Sequence, residues 1–459
     1  MLIASTVSRT PRTMGPTPGG PMTHPIYRVA PFVQLSRTHS GHRMRCAVVV
    51  LASAALLVPI VAFAAWQGHI EMRQGVAHVI NPAAPAAGIS KIAPPVLWRH
   101  GGDEDDETGV IFGVITNAAV DGNGNTYLLD MQQSQVYEYD ASGNYVTTIG
   151  REGEGPGEFR HPAQVLIDAD GNVAVLQTMP GKIVLLSPEG DPMGEVPLPE
   201  TKDGGRLLLF GGARAARGLV LSTNSFSRRE GGVSITRQLI RVGPKGNKKA
   251  TYYSKEMNRN FADMEFDEKT NAQPLFAVAG DGRVYVQSQF DAYAIDVFAP
   301  DGKRERVIER AYTHRKRTAK EMEDSRPRIR MRRNHGMLQP KNHVSTTDRD
   351  VFALYARPGG SLWVVSSRGA RDQKSGTLVT FDEFRDTGHF TRQVAVRGTG
   401  HFTEDGIFLE GNRLIVVLGM RSAQRAMLGS VMGGNTESEE TGPLEVVCYD
   451  LSGTERAAR

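Results

Sequence analysis

The stretch GREGEGPGEFRHPAQVLIDADGNVAVLQ, residues 150–177, decides the fold. Gly153, Gly155 and Gly157 give its first part the look of a phosphate-cradling loop. Such a loop must leave a strand and open a helix whose N-terminal N–H groups meet the phosphates. Here the glycines lead into Phe159, Pro162 and the run Val165-Leu166-Ile167, which ends at DADGN. No Gly-Lys-Ser/Thr follows, as a P-loop requires. The pattern is strand, turn and strand, so the glycines read as a seam between structural repeats.

The repeat is found at an offset of 47. AAVDGNGNTYLLD (118–130) superimposes on VLIDADGNVAVLQ (165–177), and VYEYDASGNY (136–145) on IVLLSPEGDP (183–192). Each unit holds four apolar strands joined by Asp/Gly/Asn turns, residues that accept the positive φ of tight hairpins. Divergent copies follow at 213–253, 276–308, 352–396 and 406–457. Their first-turn glycines fall at Gly124, Gly171, Gly218, Gly282, Gly360 and Gly411. Six units of four strands predict an all-β chain, a six-bladed β-propeller of four-stranded antiparallel blades.

Residues 153–176 resemble the NHL repeat and the related six-bladed propellers of exported bacterial proteins with TolB-like architecture. The shared pattern is a Gly-rich seam, Phe, Pro, an apolar strand, Asp-x-x-Gly and a second apolar strand. The likeness extends over 110–195 and returns in 275–310 and 350–396. The usual Val-Ala-Asp ending of the second strand appears as Leu129-Asp130 in the first repeat, but as Gln177 and Gln287 in the second and fourth. The position that is Arg in the NHL pattern is Gln135 or Lys182. The resemblance implies a ligand site at one mouth of the central channel. Within such families the chemistry ranges from lactonases and lyases that hold a divalent metal to propellers that only bind protein or glycan.

Residues 47–64, AVVVLASAALLVPIVAFA, are apolar throughout and follow Arg43 and Arg45. They read as a signal peptide cleaved at Ala62-Phe63-Ala64 or as an uncleaved signal anchor. Either reading exports the remainder to the periplasm or beyond. Met44 opens a leader of ordinary layout, so residues 1–43 are expected to add nothing to the mature protein. Residues 1–65 form the leader, 66–95 are expected as a Pro/Ala linker, and 96–459 as the propeller. The leader carries six Arg and no acidic residue, so the formal +4 falls to −2 without it. That balance gives no argument for nucleic acid. Cys448 is the one thiol beyond the leader, in a strand-like run, and no internal disulfide is available to the exported part.

Asn117, His161, Gln164, Gln273, Asp350 and His401 stand where successive units begin, and are expected to line the channel mouth. Two His, an Asp and an Asn converging on one axis have the donor set for Zn²⁺ or Ca²⁺, although no H-x-x-x-H, H-E-x-x-H or EF-hand spacing is present. The expectation is therefore a binding propeller without cofactor, monomeric, with a metal-dependent lactonase, hydrolase or lyase as the alternative. An insertion at 310–349 holds twelve Lys/Arg against four Asp/Glu. Its Arg315, Arg317, Arg328, Arg330, Arg332 and Arg333 are expected to form a basic docking surface for a protein or an anionic envelope ligand. The acidic DEDDE at 103–107 reads as a solvated loop. Finally, Val96 to Arg99 are expected to close the ring by pairing with the sixth blade, with Trp98 buried there, because an unclosed ring leaves two bare edges.

Overall fold

The computed structural model describes residues 65–102, 108–201, 205, 207–260, 265–326, 331–333, 336–338, 341–431 and 442–454. All of them belong to one compact unit beginning at Ala62. Residues 1–64 of the leader and the acidic 103–107 loop lie outside the described residues.

The protein is a six-bladed β-propeller. Blade one runs from inside to outside as Ile115–Val120, Thr126–Asp130, Gln135–Tyr139 and Tyr145–Ile149. Blade two repeats the order with Pro162–Ile167, Val173–Gln177, Lys182–Leu186 and Pro192–Glu195. The inner strands of the other four blades are Leu208–Arg214, Leu275–Val278, Val351–Ala356 and Gly406–Glu410. Each first hairpin turns at the predicted glycine, and all six have positive φ, from 55° at Gly411 to 91° at Gly218. The alternation of small and branched apolar residues buries both faces of the central strands. Among the described residues six apolar clusters result, one at each interface between neighbouring blades.

The seam at 150–162 carries the chain from the outer strand of blade one to the inner strand of blade two. Glu158 folds back to accept the Gly155 amide at 2.8 Å and the Arg151 Nε–H at 2.7 Å, while Phe159 is fully buried between the blades. No helix follows, as the sequence predicts.

Ring closure falls where expected. Val96–Gly101 is the outer strand of blade six, antiparallel to Glu445–Asp450, and Trp98 is 7 % exposed against Tyr139 of blade one.

Residues 66–95 are not a linker. His69–Arg73 and Val76–Asn81 add two strands to the rim of blade four, and Ile89–Ile92 adds one to the rim of blade five. Val76–Asn81 and Ile89–Ile92 run parallel to the native outer strands Arg304–Arg310 and Phe390–Arg397. The Pro/Ala segment between them is held by backbone bonds from Ala86 and Ala87 to Phe390 and Thr391, and by Arg310 donating to Ala83 O at 2.8 Å. Edge pairing is made by main-chain groups, so a composition poor in strand formers does not prevent it. The N-terminal segment is a belt over blades four, five and six.

Candidate functional site

The end of the channel at which the inner strands begin, the upper mouth, carries most of the departures from the repeat. In an antiparallel four-stranded blade, the links between blades and the turns between second and third strands lie at this same end. Blade three lengthens that turn into a projecting hairpin, Leu219–Arg229 with Gly232–Val242, flanked by Lys248–Asn260. The 310–349 insertion sits between blades four and five. Helices Ser367–Arg371 and Met420–Val431 occupy the corresponding turns of blades five and six.

The additions of blades three and five and the insertion are joined to one another. Glu265–Asp267, after blade three, pairs in parallel with Lys341–His343 of the insertion. Arg317 makes two hydrogen bonds to Glu268, at 2.7 and 2.8 Å. Arg315 contacts Glu321 at 2.9 Å, Asp348 at 2.9 Å and Asp372 at 2.7 Å, and Arg371 reaches Asp348 at 3.2 Å. Asp348, fully buried, therefore receives three guanidinium groups. The segment after blade three, the insertion between blades four and five, and the blade-five helix thus form a bonded assembly, while blades one and two keep short turns.

This network revises the expected docking surface. Arg315 and Arg317 do not face a partner: their side chains are 13 % and 5 % exposed and are committed to internal ion pairs. A charge block shows its composition but not its partners, and the partners here are acidic residues up to 57 positions away. Arg328 and Arg330 lie outside the described residues, as do the side chains of Arg332 and Arg333.

The residues expected at the channel mouth divide by role. Asn117 and Gln164, one repeat apart, staple blades together: Asn117 Oδ1 accepts Val165 N–H at 3.1 Å, and Gln164 clasps Gly212. Both follow a register shift in their inner strand, and the same irregularity recurs in blades three and five. Asp350 is buried and accepts His314 Nδ1–H at 2.9 Å, a contact that raises the imidazole pKa. His161 is exposed, with φ +45°, and His401 is exposed, its amide donating to Asp405. Among the described residues no three His, Cys, Asp or Glu side chains are grouped to hold a metal ion, so His161, His401 and Asp350 do not converge.

Sequence reasoning missed Arg349, which lies between the two buried aspartates just named. Asp348 and Asp350 are both engaged by the insertion. The Arg349 guanidinium instead donates Nη2–H to Gln287 Oε1 at 2.7 Å, with a long contact of 3.5 Å to the Gln273 carbonyl. Its Nε and the neighbouring Gln273 Oε1 are buried without a hydrogen-bond partner, and among the described residues no carboxylate pairs with it. Desolvation lowers its pKa to about 10, so it remains charged at neutral pH. The Glu268 carboxylate, held by Arg317, acts on it only through space, and a partly buried cation with no carboxylate bonded to it favours an incoming anion. The alternation Asp-Arg-Asp before an inner strand was the available signal, since successive residues point to opposite sides.

The lower mouth differs. Glu410 ends the blade-six inner strand beside a shallow cavity of about 280 Å³, lined by the first turns of blades one and six. Glu410 is exposed to solvent there.

A family model described as a 6-bladed beta-propeller (DUF5128) matches residues 112–203. No curated protein matches the chain. Among solved structures, it is similar to a Bacteroides fragilis protein described as exported, at 11 % identity over 79 % of this chain and 99 % of that one, TM-score 0.42. It is also similar to a Xanthomonas campestris gluconolactonase, at 14 % identity over 74 % and 87 %, TM-score 0.37. A third is virginiamycin B lyase from Staphylococcus aureus, at 12 % identity over 76 % and 98 %, TM-score 0.35. These identities carry no activity across to this chain.

Proposed function

We propose that this protein is an exported, non-catalytic propeller of the NHL and TolB-like kind that binds an acidic ligand or an acidic partner surface at its upper mouth. The observation that carries the reading is Arg349, a partly buried guanidinium at the upper mouth with an unpaired Nε and no carboxylate bonded to it among the described residues. The six basic residues between 326 and 341, with no acidic residue among them, add a long-range attraction for the same sign of charge. The protein works as a monomer, without a cofactor and away from nucleic acid.

The test uses the purified full chain and its Arg349→Met variant, titrated calorimetrically with inorganic phosphate, acetate, succinate and citrate. Salt-dependent binding of at least one anion, lost in the variant, is the expected result. Equal binding by both proteins, or none by the wild type, overturns the assignment.

A further inference from the structure

Four cationic side chains converge on the short segment 270–273, which leads into the inner strand of blade four. Lys255 Nζ donates to Thr270 O at 3.3 Å, and Arg237 Nη1 donates to Asn271 O at 3.1 Å and Ala272 O at 2.8 Å. Arg259 bonds the Asn271 side-chain oxygen through Nη2. Arg349 approaches from the blade-five side, its Nη1 3.5 Å from Gln273 O. Four extended residues span at most about 14 Å, so the groups these cations hold are close neighbours.

Among the described residues no carboxylate is bonded to any of the four. The carboxylates nearby are taken: Glu268 by Arg317, Asp291 by Lys269, Glu256 by Arg229, and Asp267 by the Thr270 amide and hydroxyl. Arg237 repeats the condition of Arg349, being 5 % exposed with its Nε buried and without a hydrogen-bond partner. Residues 268–271 form one helical turn, whose final carbonyls attract cations. A helix end carries only about half an elementary charge, so carbonyl capping leaves most of the positive charge uncompensated. Arg237 and Lys255 are register partners in the lengthened part of the blade-three sheet. Lys255 and Arg259 alternate with exposed residues on the half-buried face of its outer strand, where solvent reaches them.

We propose that the upper mouth takes a polyvalent anion, with two or more carboxylate or phosphate groups, that bridges Arg349 and the Lys255 and Arg259 face of the blade-three hairpin. The inference rests on the anion reading of Arg349 and adds valency to it. A monovalent anion at Arg349 leaves the hairpin cations without a counter-ion. A second anionic group on the same ligand meets them at a high effective concentration. Arg237 is too enclosed to touch the ligand and acts as a fixed charge behind the other three. The lengthening of blade three, which blades one and two lack, is what brings these cations to segment 270–273.

The test titrates the full chain with acetate and with citrate, by calorimetry at fixed ionic strength, alongside Arg349→Met and the double variant Lys255→Gln/Arg259→Gln. Wild type is expected to bind citrate at least about tenfold more tightly than acetate. The double variant should lose at least about tenfold for citrate and far less for acetate, whereas Arg349→Met should weaken both. Urea melts check folding, and the single variant Arg259→Gln replaces the double one should that be unfolded. Citrate bound no more tightly than acetate by the wild type, or equally well by wild type and hairpin variant, overturns the inference and leaves the anion site at Arg349 standing. Binding of neither acid to the wild type overturns both.

Discussion

Gln164 clasps the peptide of Gly212 with both ends of its carboxamide, donating Nε2–H to the carbonyl at 2.9 Å and accepting the amide N–H at 2.7 Å. The bond joins blade two to blade three beside the channel. Gln164→Leu keeps the approximate shape and removes both partners of that peptide. Leaving such groups unsatisfied costs about 1–3 kcal/mol, which should appear as a lower urea midpoint with an unchanged slope.

Trp98 is the aromatic of the closing strand, and it packs so closely on blade one that a Cβ at Gly143 would lie 2.4 Å from its Cγ. Trp98→Ala should cost about 3–5 kcal/mol in chemical denaturation. Deleting residues 66–100 should cost at least as much, because the belt strands on blades four and five go with it. A truncated chain that melts with the wild type would place closure elsewhere.

The first-turn glycines are equivalent in backbone but not in surroundings. At Gly171, φ +88°, an added Cβ meets nothing within 4 Å, so Gly171→Ala should cost only the left-handed strain, about 1–2 kcal/mol. At Gly218, φ +91°, the Cβ would lie 2.0 Å from the Val242 carbonyl oxygen. Gly218→Ala should be clearly worse. Thermal melts of the two variants decide the order.

Burial alone would raise the Glu321 carboxyl, but hydrogen bonds from Arg315 and Thr318 N–H, with the charges of Arg315 and Arg371, outweigh it and hold the pKa at about 2. The folded value lies below the ordinary 4.5, so this contribution is fully present above pH 4.5 and is lost as pH falls toward 2. The whole shift corresponds to about 3 kcal/mol. Glu321→Gln should flatten the acid limb of stability against pH between those values. If the limb is unchanged in urea melts across that range, the network around Asp348 does not act as drawn.

The fold was legible because its signal is periodic: Gly124, Gly171, Gly218, Gly282, Gly360 and Gly411 mark a backbone requirement that each blade repeats. Closure by Val96 to Arg99 was legible for a related reason, since six repeats left one outer strand unfilled. The rest of the belt was not. Ile89–Ile92 pairs through its main chain, and neither ISKI nor the Pro/Ala stretch before it records that pairing. In the site, residue type at a repeat position identified Asn117 and Gln164 as polar and axial, but not that their amides are satisfied by the next blade. Arg349 was passed over because an arginine in a basic insertion looks like its neighbours. What distinguishes it is a missing carboxylate, and only three-dimensional packing reveals that.

The belt also sets an order of assembly. Its strands, between His69 and Gly101, lie early in the chain, yet each pairs with a blade formed by residues beyond 275. The segment must wait with its hydrogen-bonding edges bare until more than half of the remaining chain has emerged. Contacts spanning over 200 residues are slow to find. The final step of folding is thus a search by the oldest segment for the youngest blades, and a delay there exposes strand edges to other chains before the ring has closed.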